Sequence, residues 1–124
     1  MCKRNLVVVA FLIAVVGGAV SSLAGTCYVG QSQGCVSWTG DYEVFKLGLR
    51  GGVSYSISLS VPFTADLDMK LLDSSGNVIA ASTWGGHGES EMINFTPLFG
   101  GTYYLVVYSY SGSGCFTVRL TKRC

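Results

Sequence analysis

Apolar and polar side chains take turns along most of this chain. Tyr55, Ile57, Leu59 and Val61 alternate with Ser54, Ser56, Ser58 and Ser60, which predicts a strand with one buried face and one hydroxyl face. Past Pro62, Leu67, Met69 and Leu71 point inward, and Asp66, Asp68 and Lys70 point outward. Asp73-Ser74-Ser75-Gly76-Asn77 has the composition of a turn, so Val78 to Ala81 returns as the second arm of a hairpin. Ile93 and Phe95 belong to a strand that Pro97 should end. Gly100-Gly101 turns the chain into Thr102 to Tyr110, with Tyr103, Leu105 and Val107 on one face and Tyr104, Val106 and Tyr108 on the other. After Ser111-Gly112-Ser113-Gly114, the inward residues are Phe116, Val118 and Leu120. Cys35 to Trp38 and Tyr42 to Leu47 read as two earlier strands around Gly40-Asp41. Helical periodicity is missing throughout. About eight short antiparallel strands joined by tight turns predict an all-β sandwich of jelly-roll type.

The N-terminus departs from this pattern. Lys3 and Arg4 precede the apolar run Leu6 to Val16 and the small residues Gly17 to Gly25, the order of an export signal. Ser22 and Ala24 suit a cut after Ala24, giving a signal over residues 1–24 and one domain over 25–124. Retention as an anchor is the other reading, since the run together with its Gly/Ala/Ser extension approaches the roughly 20 residues of a spanning helix. Cleavage removes two of the eight basic residues, so six face seven acids and the net charge becomes −1. No basic face for phosphate remains, which argues against a nucleic-acid partner. No membrane partner is expected after cleavage.

Cysteine count agrees with export. Cys27, Cys35, Cys115 and Cys124 remain, no C-x-x-C pair occurs, and His87 is the only histidine, so two disulfides are expected in preference to zinc. The residue sums of Cys27 with Cys124 and of Cys35 with Cys115 differ by one, so one antiparallel ladder could carry both bridges. The local pairing Cys27–Cys35 with Cys115–Cys124 is also sterically allowed, and the preference for the end-to-end pairing is slight.

Catalytic chemistry finds little to work with. His87 stands among glycines, without a G-x-S-x-G or H-E-x-x-H motif, and Glu89 and Glu91 are too close in sequence to flank a sugar. The chain is therefore expected not to be an enzyme. Asp66 and Asp68 share one strand face about 7 Å apart and could offer hard oxygens to calcium, or form a solvated face neutralised by Lys70. No other cofactor is expected. Tyr104, Tyr108, Tyr110 and Trp84 are the candidate ligand-binding residues, because aromatic side chains stack on sugars and pack against protein chains. Asn94-Phe95-Thr96 matches the N-glycosylation pattern at Asn94.

Several segments taken in order resemble the bacterial and archaeal pre-peptidase C-terminal domain family. They are Asp41 to Leu47, Tyr55 to Leu59, Ala65 to Asp73, Ser75 to Ala80, Gly101 to Tyr108 and Ser111 to Val118. The resemblance implies a jelly-roll-like sandwich serving as an accessory module of secreted proteases, and some relatives bind calcium. This chain differs in having no catalytic domain, and Gly25 to Gly40 lacks the acids that calcium-binding relatives carry there. The expected function is a secreted or cell-surface binding module for extracellular polysaccharide or protein. The alternative is a subunit of a surface layer or filament that associates with copies of itself, with Gly25 to Gly34 donated to a neighbour's sheet. Action on a protease in trans rests on the resemblance alone.

Overall fold

The computed structural model describes residues 25–83 and 85–124; the expected signal (1–24) and Trp84 lie outside the described residues. Eight strands follow in order: β1 (Thr26–Val36), β2 (Tyr42–Leu49), β3 (Tyr55–Ser60), β4 (Ala65–Leu72), β5 (Val78–Ser82), β6 (Glu91–Phe95), β7 (Gly101–Gly112) and β8 (Gly114–Arg123). They form two antiparallel four-stranded sheets, ordered β1-β8-β3-β6 and β2-β7-β4-β5. Most successive strands change sheet, which is jelly-roll connectivity and keeps both inner faces on one core. Among the described residues no helix is long and apolar enough to cross a membrane.

Alternation decides which side chains fill the interior. Ile57 and Leu59 of β3, Leu67, Met69 and Leu71 of β4, Leu105 and Val107 of β7, and Val118 and Leu120 of β8 are buried. Aromatic pairs tie the layers together. Phe45 of β2 meets Phe116 of β8 edge-on at 6.0 Å, and Phe95 of β6 meets Tyr103 of β7 at 5.7 Å. Such contacts add roughly 0.5–1.5 kcal/mol each beyond the area they bury. Where β1 crosses β2, close packing requires Gly34: a Cβ there would stand 2.5 Å from Glu43 Oε1 and 2.7 Å from Phe116 Cζ.

The first strand begins earlier than its sequence suggests. Residues 26–36 pair with β8, so the segment expected to be free for donation to a neighbour is a strand of its own sheet. Only Val29 and Val36 of β1 belong to the core, too few apolar positions to announce a strand. Trp38, expected at the end of a strand, lies beyond β1 in the turn before β2. Disulfides join Cys27 to Cys124 and Cys35 to Cys115. Cys35 and Cys115 are directly opposed, but an extra residue at Val29 shifts the register, so Cys27 opposes Lys122 and reaches Cys124 diagonally.

Both ends of the sandwich carry loops of distinct make-up. Residues 37–41, 61–64 and 85–90 gather at one end. Residues 50–54, 73–77 and 96–100 gather at the other, beside Gly25 and Cys124, whose backbones are hydrogen-bonded. In the 73–77 turn, Asp73 Oδ1 accepts the backbone N–H groups of Ser75 and Asn77, each at 2.9 Å, and Gly76 supplies the positive φ of 91°.

Candidate functional site

The outer face of β2-β7-β4-β5 brings several of the expected residues together. Tyr108 lies between Tyr42 and Asp68, Val106 between Val44 and Lys70, and Tyr104 between Lys46 and Leu72. Tyr104 and Tyr108 are half-buried, so their rings are held by neighbours and still reach solvent. Lys70 Nζ sits 5.3 Å from the Tyr108 ring centroid, a cation–π contact. Tyr110 owes its position to a bulge. Asp66 opposes Ser111 and Leu67 opposes Ser109, which leaves Tyr110 as the extra residue on β7, 67% exposed. Tyr42 is 40% exposed and completes the row, although sequence reasoning passed over it. Its place opposite Tyr108 is a register fact that only strand pairing reveals.

Asp68 differs from the expectation of a solvated face. It is only 6% exposed, and burial, followed by the charges of Asp66 and Glu91, pushes its carboxyl up to about 6, against an opposing hydrogen bond donated by Tyr108. The Tyr108 hydroxyl is raised in turn by burial and by the Asp68 charge. Residues 85–90 reach the start of the same strand. Gly88 N–H donates to Ala65 O at 3.1 Å, which draws this loop over the start of β4. Beneath it, Ser82 Oγ donates to Glu91 Oε1, and both residues are buried.

A calcium ion needs six to eight oxygens, typically from several converging carboxylates and carbonyls. Asp66 Oδ1 is buried with no hydrogen-bond partner, yet among the described residues no three His, Cys, Asp or Glu side chains are placed to hold a metal. Asp66 and Asp68 alone fall short of such a shell. His87 is not as isolated as the sequence suggests: its Nε2 lies 3.3 Å from Ser111 Oγ. This contact is exposed, whereas a Ser–His nucleophile works in a water-excluded site beside an oxyanion hole. Asn94 is exposed on β6, and its amide oxygen accepts from Ser56 Oγ at 2.7 Å.

The opposite outer face carries different groups. Ser56 and Ser58 of β3 lie beside Thr121 and Arg119 of β8, and Arg119 in turn lies beside Gln31 of β1. Arg119 stacks over Tyr28 at 5.2 Å.

The bacterial pre-peptidase C-terminal domain family matches residues 41–109, from the turn before β2 to the last inward residue of β7. The chain belongs to that family. The pre-peptidase C-terminal domain of the Bacillus anthracis collagenase is similar in structure, with a TM-score of 0.67 and 19% identity, over 96% of this chain and 99% of that one. A mutant of the Escherichia coli periplasmic inhibitor of g-type lysozyme aligns at TM-score 0.57 and 13% identity, over 96% of this chain and 99% of that one. The Aeromonas hydrophila inhibitor of g-type lysozyme aligns at 0.53 and 12%, over 95% and 97%. At these identities the likeness establishes the shared sandwich. No curated protein sequence matches the chain. In this family member the two disulfides fit an oxidising setting, extracellular or periplasmic.

Proposed function

We propose that the chain is a non-catalytic binding module, secreted or held at the cell surface, that takes a polysaccharide or protein ligand on the outer face of β2-β7-β4-β5. The row of Tyr42, Tyr104, Tyr108 and Tyr110 carries this reading. Four phenol rings on one sheet face offer flat apolar area with a polar tip, at little cost in side-chain entropy. Membership of the pre-peptidase C-terminal family supports attachment, and lysozyme inhibitors of similar fold support a protein ligand as one form of it. Self-association through a donated N-terminal segment is the weaker reading, because β1 is already paired and cross-linked.

The test is retention of the protein on insoluble polysaccharides and on immobilised collagen. A retained protein should lose about fivefold in affinity with Tyr104→Ala or Tyr108→Ala, as expected for one aromatic contact. Undiminished retention of the double variant would place the ligand elsewhere. Polymers in size exclusion, unaffected by these substitutions, would favour the subunit. Chelator should leave the Tm unchanged, and a fall of several degrees would assign calcium to Asp66 and Asp68.

A further inference from the structure

The end of the sandwich formed by loops 50–54, 73–77 and 96–100 presents an apolar tip. Leu98 and Phe99 are adjacent and 81% and 73% exposed, and Ile79, which lines the same groove, is 37% exposed. A groove of about 440 Å³ runs under the tip, lined by Ile79, Phe95 and Tyr103 among others. The tip is firmly held: the Tyr103 hydroxyl donates to Phe99 O at 2.6 Å, and Gly52 N–H donates to Pro97 O at 2.8 Å. Keeping two large apolar side chains in water on an ordered loop forgoes roughly 1.5–3 kcal/mol apiece, and contiguous exposed apolar surface commonly marks an interaction site.

Charge is sorted along the same axis. Arg50, Lys122 and Arg123 lie at this end, whereas the loops of the opposite end contain no Lys or Arg among the described residues. Asp73 is the only acidic side chain in the loops at this end, and its carboxylate is engaged by Ser75 and Asn77. The chain also enters here: Gly25, hydrogen-bonded to Cys124, follows the segment containing the apolar run Leu6 to Val16.

We infer that this end is a membrane-docking surface, in which Leu98 and Phe99 enter the interface of an anionic bilayer while Arg50, Lys122 and Arg123 meet lipid headgroups. Apolar tips ringed by cations bind such interfaces by combining buried area with attraction to anionic lipid. A second copy fits less well. A two-fold contact through this patch would set the three cations of one copy against those of the other. The surface is separate from the tyrosine face and stands or falls independently of it.

Phe99→Trp in the full chain tests the inference. Vesicles of phosphatidylcholine alone, or of phosphatidylcholine and phosphatidylglycerol in equal parts, are prepared with and without brominated acyl chains. The introduced indole is read as the difference from the unsubstituted chain, which keeps Trp38 and Trp84. Brominated anionic vesicles should quench it about twofold or more, and neutral vesicles much less. Arg50→Ala and Arg123→Ala should each weaken partitioning to the anionic vesicles about fivefold. Equal quenching on both vesicle types, which a tether through Leu6 to Val16 alone would give, overturns the inference. So does an unquenched indole, or lipid-free assembly that Leu98→Ser abolishes.

Discussion

Each sheet hides aliphatic side chains from the same core, and each presents different chemistry to solvent. The β1-β8-β3-β6 sheet shows hydroxyls, amides and arginine outside, and disulfides bind its edge strand β1 to the start of β8 and to Cys124 just past its end. The β2-β7-β4-β5 sheet has no cross-link among the described residues and carries tyrosines, lysines and a buried carboxylate. The difference follows from the supply of core contacts. Strand β1 contributes only Val29 and Val36 to the interior and depends on covalent attachment, whereas β7 contributes Tyr103, Leu105 and Val107 from the middle of its sheet. A strand held by packing and by ladders on both sides can use its outer face for a ligand.

The largest expected effect comes from removing the bridges. They are nested, with sequence separations of 97 and 80. Once either bridge is closed, the other completes only a small ring through residues 27–35 and 115–124. Loop entropy therefore assigns about 3 kcal/mol to losing one bridge and about 8 kcal/mol to losing both. The second figure is comparable to the whole stability of an ordinary domain. Urea titration should show Cys35→Ala/Cys115→Ala folded with a lower midpoint, and the variant lacking all four cysteines largely unfolded. A cysteine-free chain that melts within a few degrees of the parent would mean that β1 is held by its hydrogen-bonded ladder.

These two sheets were not equally legible in the sequence. Strong alternation, as in Tyr55 to Ser60, reports a half-buried strand directly, and Asp73 to Asn77 declares its turn through side-chain acceptors close in sequence. Strand β1 was hidden because its polar and glycine residues lie at an edge where few positions need to be apolar. The burial of Asp68 was hidden for another reason. It rests on neighbours from other strands, Tyr108 of β7 and Glu91 of β6, which no local pattern encodes. Residues 85–90 likewise bring His87 to Ser111. Of the proposed binding face, the outward direction of Tyr104 and Tyr108 could be read from alternation, but the bulge at Tyr110 and the register of Tyr42 could not.

A second, smaller effect separates the sheets by pH. Asp68 stands at about 6 in the fold against an ordinary 3.8. Between those values the folded chain keeps a proton that the unfolded chain has lost, so stability falls as pH rises through this window. That difference corresponds to about 3 kcal/mol of destabilisation, fully expressed above about pH 7 and absent below about pH 3. Asp68→Asn keeps an acceptor for the Tyr108 hydroxyl and removes the charge. It should be more stable than the parent at pH 7 by about 2 kcal/mol, with a flatter dependence between pH 4 and 7. A parent-like slope in this variant would assign the titration to another group. Ser58→Ala, on the opposite face, should leave the slope intact.

The smallest effect compares two stacked cations at nearly equal distance. Lys70 lies 5.3 Å from the Tyr108 ring, and Arg119 lies 5.2 Å from the Tyr28 ring. Tyr108 is partly desolvated between Asp68 and Tyr42, and Tyr28 is 49% exposed. A cation–π contact strengthens as water is excluded. A double-mutant cycle on Lys70 and Tyr108 should therefore give a coupling near 1 kcal/mol, and one on Arg119 and Tyr28 about half that. The functional consequence should be more lopsided than the energies. Losing Lys70 frees the Tyr108 ring within the proposed binding row, so Lys70→Ala should lower retention on the ligand, while Arg119→Ala should not. Equal losses from both would show that the hydroxyl face shares the ligand, and that the division of labour between the sheets is not one of binding.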